Sequence, residues 1–232
     1  MKEEINPQYS KSEEKLNVLT HAFGLLLSII GLPFLVVKSF HYDGFWKPMS
    51  IIIYGASLLI LYAASTFYHA SKDPKLRRKL NIFDHAAIYV LIAGTYTPYT
   101  LITLEGALGW FIFGFTWVFA MIGIVLKLFY TGRFDKLSTM MYVLMGWQII
   151  LVIKPLIDSF SLEGLKLLFA GGVFYTIGAL LYSIKKVKYN HAIFHVFVVL
   201  GSLCHFFKHI IRVDSFSNTW TRKRNFYMEI TK

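Results

Sequence analysis

Two histidines near the start of the last apolar block have the spacing of a metal-binding pair. His191 and His195 are four residues apart, so on a helix their imidazoles lie one above the other on one face. Imidazoles placed in this way can share one metal ion, as they do in zinc-binding helices. A third imidazole, His69, ends an earlier apolar block, and the Ser65 hydroxyl precedes it by one helical turn. Two distant segments therefore contribute to one candidate metal site.

Asp84 is the candidate acidic group of the same site, near the start of a third apolar block. Three neutral histidines with a fourth position open to solvent are typical of a hydrolytic zinc site. Asp84 is then either a fourth ligand or an outer group that holds the bound water, whose pKa such a metal lowers to about 7. A single histidine at a membrane interface is usually an ordinary polar residue, so the hypothesis depends on the whole set.

The remaining histidines are weaker candidates. His21 and His85 are as consistent with hydrogen bonding between helices as with metal ligation, and His85 should point roughly 100° away from Asp84 on a helix. His205 lies one apolar block beyond His195, too far for the same ion. We expect His41 and His209 in a loop and the C-terminal tail.

The composition identifies the elements that must position these residues. Of 232 residues, 56% are hydrophobic and only 16% are charged, against roughly 25% charged in soluble domains. The apolar residues form long blocks, which excludes a soluble enzyme, a disordered chain and a disulfide scaffold, and the chain has a single cysteine. A bilayer core of ~30 Å requires ~20 helical residues. The pattern predicts an all-α polytopic membrane protein with seven spans, at about 17–37, 48–69, 82–103, 107–126, 137–153, 165–184 and 189–207.

The basic residues give these spans an orientation. Fourteen of the 24 Lys and Arg residues lie in the N-terminal segment and the loops on its side, four lie in the opposite loops, and six in the C-terminal tail. Because short cytoplasmic loops are enriched in Lys and Arg, we expect a cytoplasmic N-terminus. The net charge of +11 then indicates orientation, and we expect no nucleic-acid partner. The basic tail argues against this topology, but seven spans leave it no other side.

Topology independently brings the candidate residues to one depth. His69 lies at the inner end of span 2, and Asp84, His191 and His195 lie at the inner starts of spans 3 and 7. Ionisable residues inside spans are costly and usually functional. Other polar features predict structure: a distorted span 3 at Pro98 and an interhelical hydrogen bond from Gln148.

The segments IFDHAAIYVLIAGTYTPY (82–99) and HAIFHVFVVLGSLCHFF (191–207), with the Ser65/His69 pair, resemble bacterial hemolysin III proteins. That family belongs to the progestin and adipoQ receptor (PAQR) superfamily, which includes the adiponectin receptors. The resemblance implies seven helices, a cytoplasmic N-terminus and a zinc ion near the cytoplasmic face. It implies His69, His191 and His195 as zinc ligands, Asp84 as holder of the zinc-bound water, and Ser65 as a nearby polar group.

These features predict three regions: a cytoplasmic segment 1–16, a seven-span domain 17–207, and an atypical tail 208–232 that departs from the family's usual ending and looks foreign or frameshifted. The leading interpretation is a plasma-membrane zinc-dependent hydrolase of lipid amides or esters, similar to ceramidases, with a membrane lipid or fatty-acyl substrate. The alternatives are a pore-forming cytolysin, as the hemolysin name implies, and a membrane-homeostasis factor or sensor in which zinc is structural. Neither the substrate nor the oligomeric state follows from the sequence.

Overall fold

The computed structural model describes residues 9–40, 44–104, 106–131, 135–184 and 186–230, with side chains described except at 135, 136 and 212–230. All of its regular elements are helical. They are α1 (Lys11–Ser39), α2 (Trp46–Ala70), α3 (Pro74–Pro98) with a π-helical extension (Tyr99–Leu104), α4 (Gly106–Tyr130), α5 (Asp135–Trp147) with a 3₁₀ extension (Gln148–Val152), α6 (Ile153–Ser159), α7 (Leu162–Ser183) and α8 (Asn190–Ile230).

Seven helical segments in the described ranges are long and apolar enough to cross a membrane, and each predicted block overlaps one of them. They are Lys11–Ser39, Trp46–Ala70, Pro74–Leu104, Gly106–Tyr130, Leu137–Ser159, Leu162–Ser183 and Asn190–Ile211. Large apolar side chains cover the outside of the bundle: on α4, Phe111, Val118 and Phe129 are each more than half exposed. Such a surface is stable only against lipid, and the all-α, seven-span prediction is confirmed.

Helix α3 lies at the centre of the bundle. Of the most apolar 18-residue stretch of this span, 78% is buried inside the bundle, whereas the corresponding share is 22% in α1 and in α7. Helices α2 and α4 pack against α3, and α1 packs against both α2 and α8. The first and last spans are therefore neighbours, so the ring of helices places the starts of α1, α3 and α8 beside the end of α2.

The helix starts at this end of the bundle are capped by short polar side chains. The Ser10 hydroxyl accepts a hydrogen bond from the Glu13 amide at 3.2 Å, and the Asp73 carboxylate accepts from the amides of Lys75 and Leu76 at 2.8 and 2.9 Å. Caps of this kind satisfy amides that have no partner within the helix. The Ser10 cap begins α1 itself.

Two spans depart from regular α-helix. The α-helix of span 3 ends at Pro98 and continues as a π-helix, which agrees with the distortion predicted there. Span 5 is interrupted by a 3₁₀ segment because the Tyr96 hydroxyl replaces a backbone bond: it donates to the Gly146 carbonyl at 2.7 Å and accepts from the Ile149 amide at 2.8 Å. The predicted interhelical role of Gln148 is confirmed, since its amide donates to the Thr116 hydroxyl at 2.6 Å.

Helix α8 continues past residue 207 without interruption. The prediction that His209 belongs to a tail was wrong: it lies within the helix and is only 2% exposed. The last apolar span ends near Ile211. The sequence predicted its end at residue 207 because Lys208 and His209 are polar residue types. His41 lies outside the described residues.

Candidate metal centre

Three histidines from α2 and α8 meet inside the bundle. His69 is at the last turn of α2, and His191 and His195 are at the first turns of α8. One ring nitrogen from each lies within 4.8 Å of the others, and all three residues are at most 4% exposed. The Nε2 atoms of His69 and His191 are 3.0 Å apart. The structure therefore brings together the three histidines that the sequence placed at one depth.

The Nδ1 atom of each of the three histidine rings contacts a polar group of the N-terminal region. His69 donates from Nδ1 to the Glu14 carboxylate at 2.7 Å, and the Nδ1 of His191 lies 3.1 Å from the Tyr9 hydroxyl. His195 Nδ1 is 3.3 Å from the Asn17 carbonyl oxygen. Metal-binding histidines are typically oriented by such outer contacts, which fix the tautomer. The arrangement leaves the Nε2 atoms of His69 and His191 to face each other.

A further hydroxyl on α1 supports this assignment. The Thr20 hydroxyl lies 3.2 Å from the same Nδ1 atom of His195. Because the Asn17 carbonyl can only accept, its contact with Nδ1 assigns the ring proton of His195 to that nitrogen. Burial, as the largest cause, raises the pKa of the Tyr9 hydroxyl above its ordinary value of 10.0, so Tyr9 stays neutral beside His191.

The donor set fits a zinc ion. Tetrahedral zinc binds histidine nitrogens at about 2.0–2.1 Å, which places its ligand nitrogens roughly 3.3 Å apart. The 3.0 Å separation of the Nε2 atoms of His69 and His191 is close to that value. Three nitrogens in this arrangement would leave the fourth coordination position to water or substrate, as in catalytic rather than structural zinc sites.

Asp84 lies beside the three histidines but does not join their nitrogen group. It is 6% exposed and lines a cavity together with His191 and His195. Its Oδ2 atom is 4.0 Å from His85 Nδ1, and among the described residues the group that could hold a metal ion contains the three histidines alone. A position along the cavity suits an outer group rather than a fourth ligand.

Ser65 is completely buried one turn before His69. Its hydroxyl has no hydrogen-bond partner within the part of the chain that the structure describes. A buried polar group without a partner is unusual and commonly marks a site for water, an ion or a ligand.

His21 and His85 have different surroundings, and neither joins the group. The His21 ring stacks on the His195 ring with a centroid distance of 3.5 Å, and neither of its nitrogens has a partner in the described part of the molecule. His85 donates from Nδ1 to the Asn81 carbonyl of its own helix at 2.8 Å. His205, further along α8, is hydrogen-bonded through Nδ1 to the Tyr99 hydroxyl at 2.7 Å and, as predicted, lies outside the centre.

The cavity extends from the centre into the bundle. Its volume is about 140 Å³, and its lining runs from His191 and His195 to His205 along α8. The rise between His195 and His205 is about 15 Å at 1.5 Å per residue. Apolar side chains form most of the wall, including Leu61, Ile88, Leu91, Ile92, Leu168, Phe169 and Val198. The wall of the cavity is therefore largely apolar.

The residues that surround the three histidines and contact their Nδ1 atoms were not predicted from the sequence. Most of them lie at the start of the chain. Tyr9, Glu14, Asn17 and Thr20 hold the histidines, and Arg77 of α3 holds Glu14. A signal was present, because Glu14, Asn17 and His21 follow at intervals of three and four and so share one face of α1. That polar stripe at the start of an otherwise apolar span indicates a buried polar neighbour.

The fold and the centre define a class, that of seven-span helical membrane proteins with a buried tri-histidine site. Residues 9–206 match the Haemolysin-III related family, and the chain belongs to it. The resemblance noted in the sequence is thus confirmed.

Relatives support this assignment. The chain is 45% identical to "Hemolysin-3 homolog" of Bacillus subtilis (strain 168) over 199 residues, which cover 86% of this chain and 93% of that protein. It is 44% identical to "Hemolysin-3" of Bacillus cereus over 195 residues, 84% and 89% of the two chains. It is 29% identical over 201 residues to human "Monocyte to macrophage differentiation factor", 84% and 82% of the two chains, which places it in the PAQR superfamily. No solved structure matches significantly.

Proposed function

We propose that this protein is a zinc-dependent hydrolase of lipid amides or esters that works inside the plasma membrane, with its site near the cytoplasmic face. The observation that carries the proposal is the grouping of three buried imidazole nitrogens within 4.8 Å at one end of an apolar cavity. A hydrolytic centre and a chamber for an acyl chain are thereby adjacent. The metal ligands are His69, His191 and His195.

When bound, zinc supplies Lewis acidity and an activated water at neutral pH. Asp84 is placed along the cavity wall, where its carboxylate orients the attacking water and accepts its proton. As the acyl carbon–nitrogen or carbon–oxygen bond breaks, Asp84 returns that proton to the leaving group. The Ser65 hydroxyl, buried and without a partner in the described structure, contributes a hydrogen bond beside His69. Apolar walls hold the acyl chain and exclude bulk water, which strengthens these electrostatic interactions.

The direct test combines metal analysis with turnover. We expect purified protein in lipid nanodiscs to contain close to one zinc per chain and to release fatty acid from members of a panel of ceramides, acyl amides and acyl esters. His191→Ala with His195→Ala should abolish both properties. Asp84→Asn should retain zinc and lose turnover by roughly 100-fold or more.

The matched control is His205→Gln, since His205 is a buried histidine of the same helix that lies outside the nitrogen group. This variant should keep its zinc. Wild-type protein that contains zinc but hydrolyses none of the panel would contradict the enzymatic role and favour structural zinc. Leakage of ions from liposomes that persists after zinc removal would favour the pore-forming alternative.

A further inference from the structure

Glu14 links the centre to a charged residue outside it. Its carboxylate Oε2 accepts from His69 Nδ1 at 2.7 Å, and its Oε1 pairs with the Arg77 guanidinium. The side chain of His69 is fully buried, whereas those of Glu14 and Arg77 are 21% and 14% exposed. A continuous polar chain therefore runs from His69 to the edge of the bundle.

Arg77 is itself fixed by the end of α2. Its Nη1 atom donates to the carbonyl oxygens of Tyr68, His69 and Ser71 at 3.3, 3.5 and 3.2 Å, and the guanidinium lies over the Tyr68 ring at 4.7 Å. The last carbonyls of a helix have no partner within it, so Arg77 both caps α2 and holds Glu14. One side chain of α3 thus fixes α1 relative to the helix that carries His69.

Glu14 differs in charge from the outer partners of the other two histidines. His191 is held by the neutral Tyr9 hydroxyl, and His195 by the Thr20 hydroxyl and a backbone carbonyl. Three neutral imidazoles do not offset any of the charge of a divalent cation. A carboxylate that accepts from a ligand imidazole raises the basicity of that ligand and brings a negative charge close to the ion.

We propose that Glu14, held in place by Arg77, is a positioning residue that fixes His69 and tunes the metal affinity of the centre. The role rests on the metal of the proposed function, and it assigns a task to the N-terminal helix. Glu14 would act through His69, without contacting metal or substrate.

The test compares Glu14→Leu, Glu14→Gln and Arg77→Gln with two matched controls. Glu13→Gln alters the neighbouring carboxylate, and Arg78→Gln alters the exposed neighbour of Arg77. Zinc affinity and the rate of zinc release to a chelator are measured in nanodiscs, together with the absorption spectrum of the cobalt(II)-substituted protein. Thermal stability of the metal-free forms separates metal effects from folding.

We expect Glu14→Leu to weaken zinc binding by roughly 10- to 100-fold and to change the cobalt spectrum, while both controls match the wild type. Glu14→Gln should weaken binding less, because its amide oxygen still accepts from Nδ1 but carries no charge. Arg77→Gln should fall between the controls and Glu14→Leu. If Glu14→Leu fails to fold, the Gln variants decide the result.

Two outcomes would overturn the proposal: Glu14 variants that bind and release zinc as the wild type does, or losses of affinity that match a loss of stability in the metal-free protein. Either result would leave the proposed function intact provided that the wild type binds zinc. Wild-type protein without any affinity for zinc would instead contradict both.

Discussion

Narrowing the cavity at Val198 should change the chain length that the protein accepts. Val198 lines the cavity and is 6% exposed. It lies three residues beyond His195, about 4.5 Å along the helix, so a Phe here would deny the substrate most of the remaining ~10 Å toward His205. Val196 on the same helix is 44% exposed on the outside of the bundle and provides the matched control.

The magnitude follows from the length lost. If about half of that length, roughly four methylene groups, loses its burial at about 0.8 kcal/mol each, the activation free energy for a long-chain substrate rises by about 3 kcal/mol, so kcat/KM falls roughly 200-fold. A substrate whose chain ends before Val198 should lose little. Val198→Phe can also overpack the core, at a typical cost of about 1–3 kcal/mol, so its zinc content and melting temperature are measured alongside.

The assay is fatty-acid release from a series of acyl amides of increasing length, in the wild type, Val198→Phe and Val196→Phe. A selective loss for long chains in Val198→Phe alone would support an acyl chamber. The reasoning would be refuted if Val198→Phe kept its zinc and fold but lost short and long substrates equally. An equal effect of Val196→Phe would also refute it.

Three further predictions concern stability. Tyr96→Phe removes the hydroxyl shared by the partly buried Gly146 carbonyl and the buried Ile149 amide, and the unpaired buried amide alone costs about 1–3 kcal/mol; unfolding in denaturant should show a loss of at least about 1–3 kcal/mol. Gly94→Ala would place a methyl 2.3 Å from the Ser57 hydroxyl oxygen, so it should lower the melting temperature, and adding Ser57→Gly should restore part of the loss. Zinc at 100 times its dissociation constant should stabilise the wild type by about 2.7 kcal/mol; a chelator should remove this shift, and a wild type indifferent to zinc would contradict the metal assignment.

The parts of the fold that could be predicted from the sequence depend on hydrophobicity and on the alternating direction of successive spans. Long uncharged blocks define spans by length alone, and alternating direction then brings His69 of α2 to the depth of His191 and His195 of α8. Both inferences need no knowledge of which helix packs against which. The same reasoning could not predict the break in span 5, because the Tyr96 hydroxyl that causes it belongs to another helix.

The sequence contains the polar stripe on α1, but the partners of its side chains could not be predicted, for a similar reason. Tyr9, Glu14 and Thr20 acquire their roles only because α1 packs against α2 and α8, and hydropathy carries no information on neighbours. Lys208 and His209 were misjudged because their polarity outweighed their position, although both are buried in α8. The packing of particular helices against one another is thus the main feature that could not be predicted from the sequence.

The contacts of α1 with α8 also bear on the order in which the protein is assembled. Tyr9 meets His191 and Thr20 meets His195 across 182 and 175 residues of chain. During synthesis α1 enters the membrane first; Glu14 meets His69 and Arg77 when α2 and α3 follow, whereas Asn17 and His21 meet His195 only when the last span arrives. A nascent chain that stops before α8 lacks two of the three histidines of the candidate metal centre. Completion of the centre therefore coincides with correct insertion of the final helix, and occupancy by metal would distinguish finished molecules from incomplete ones.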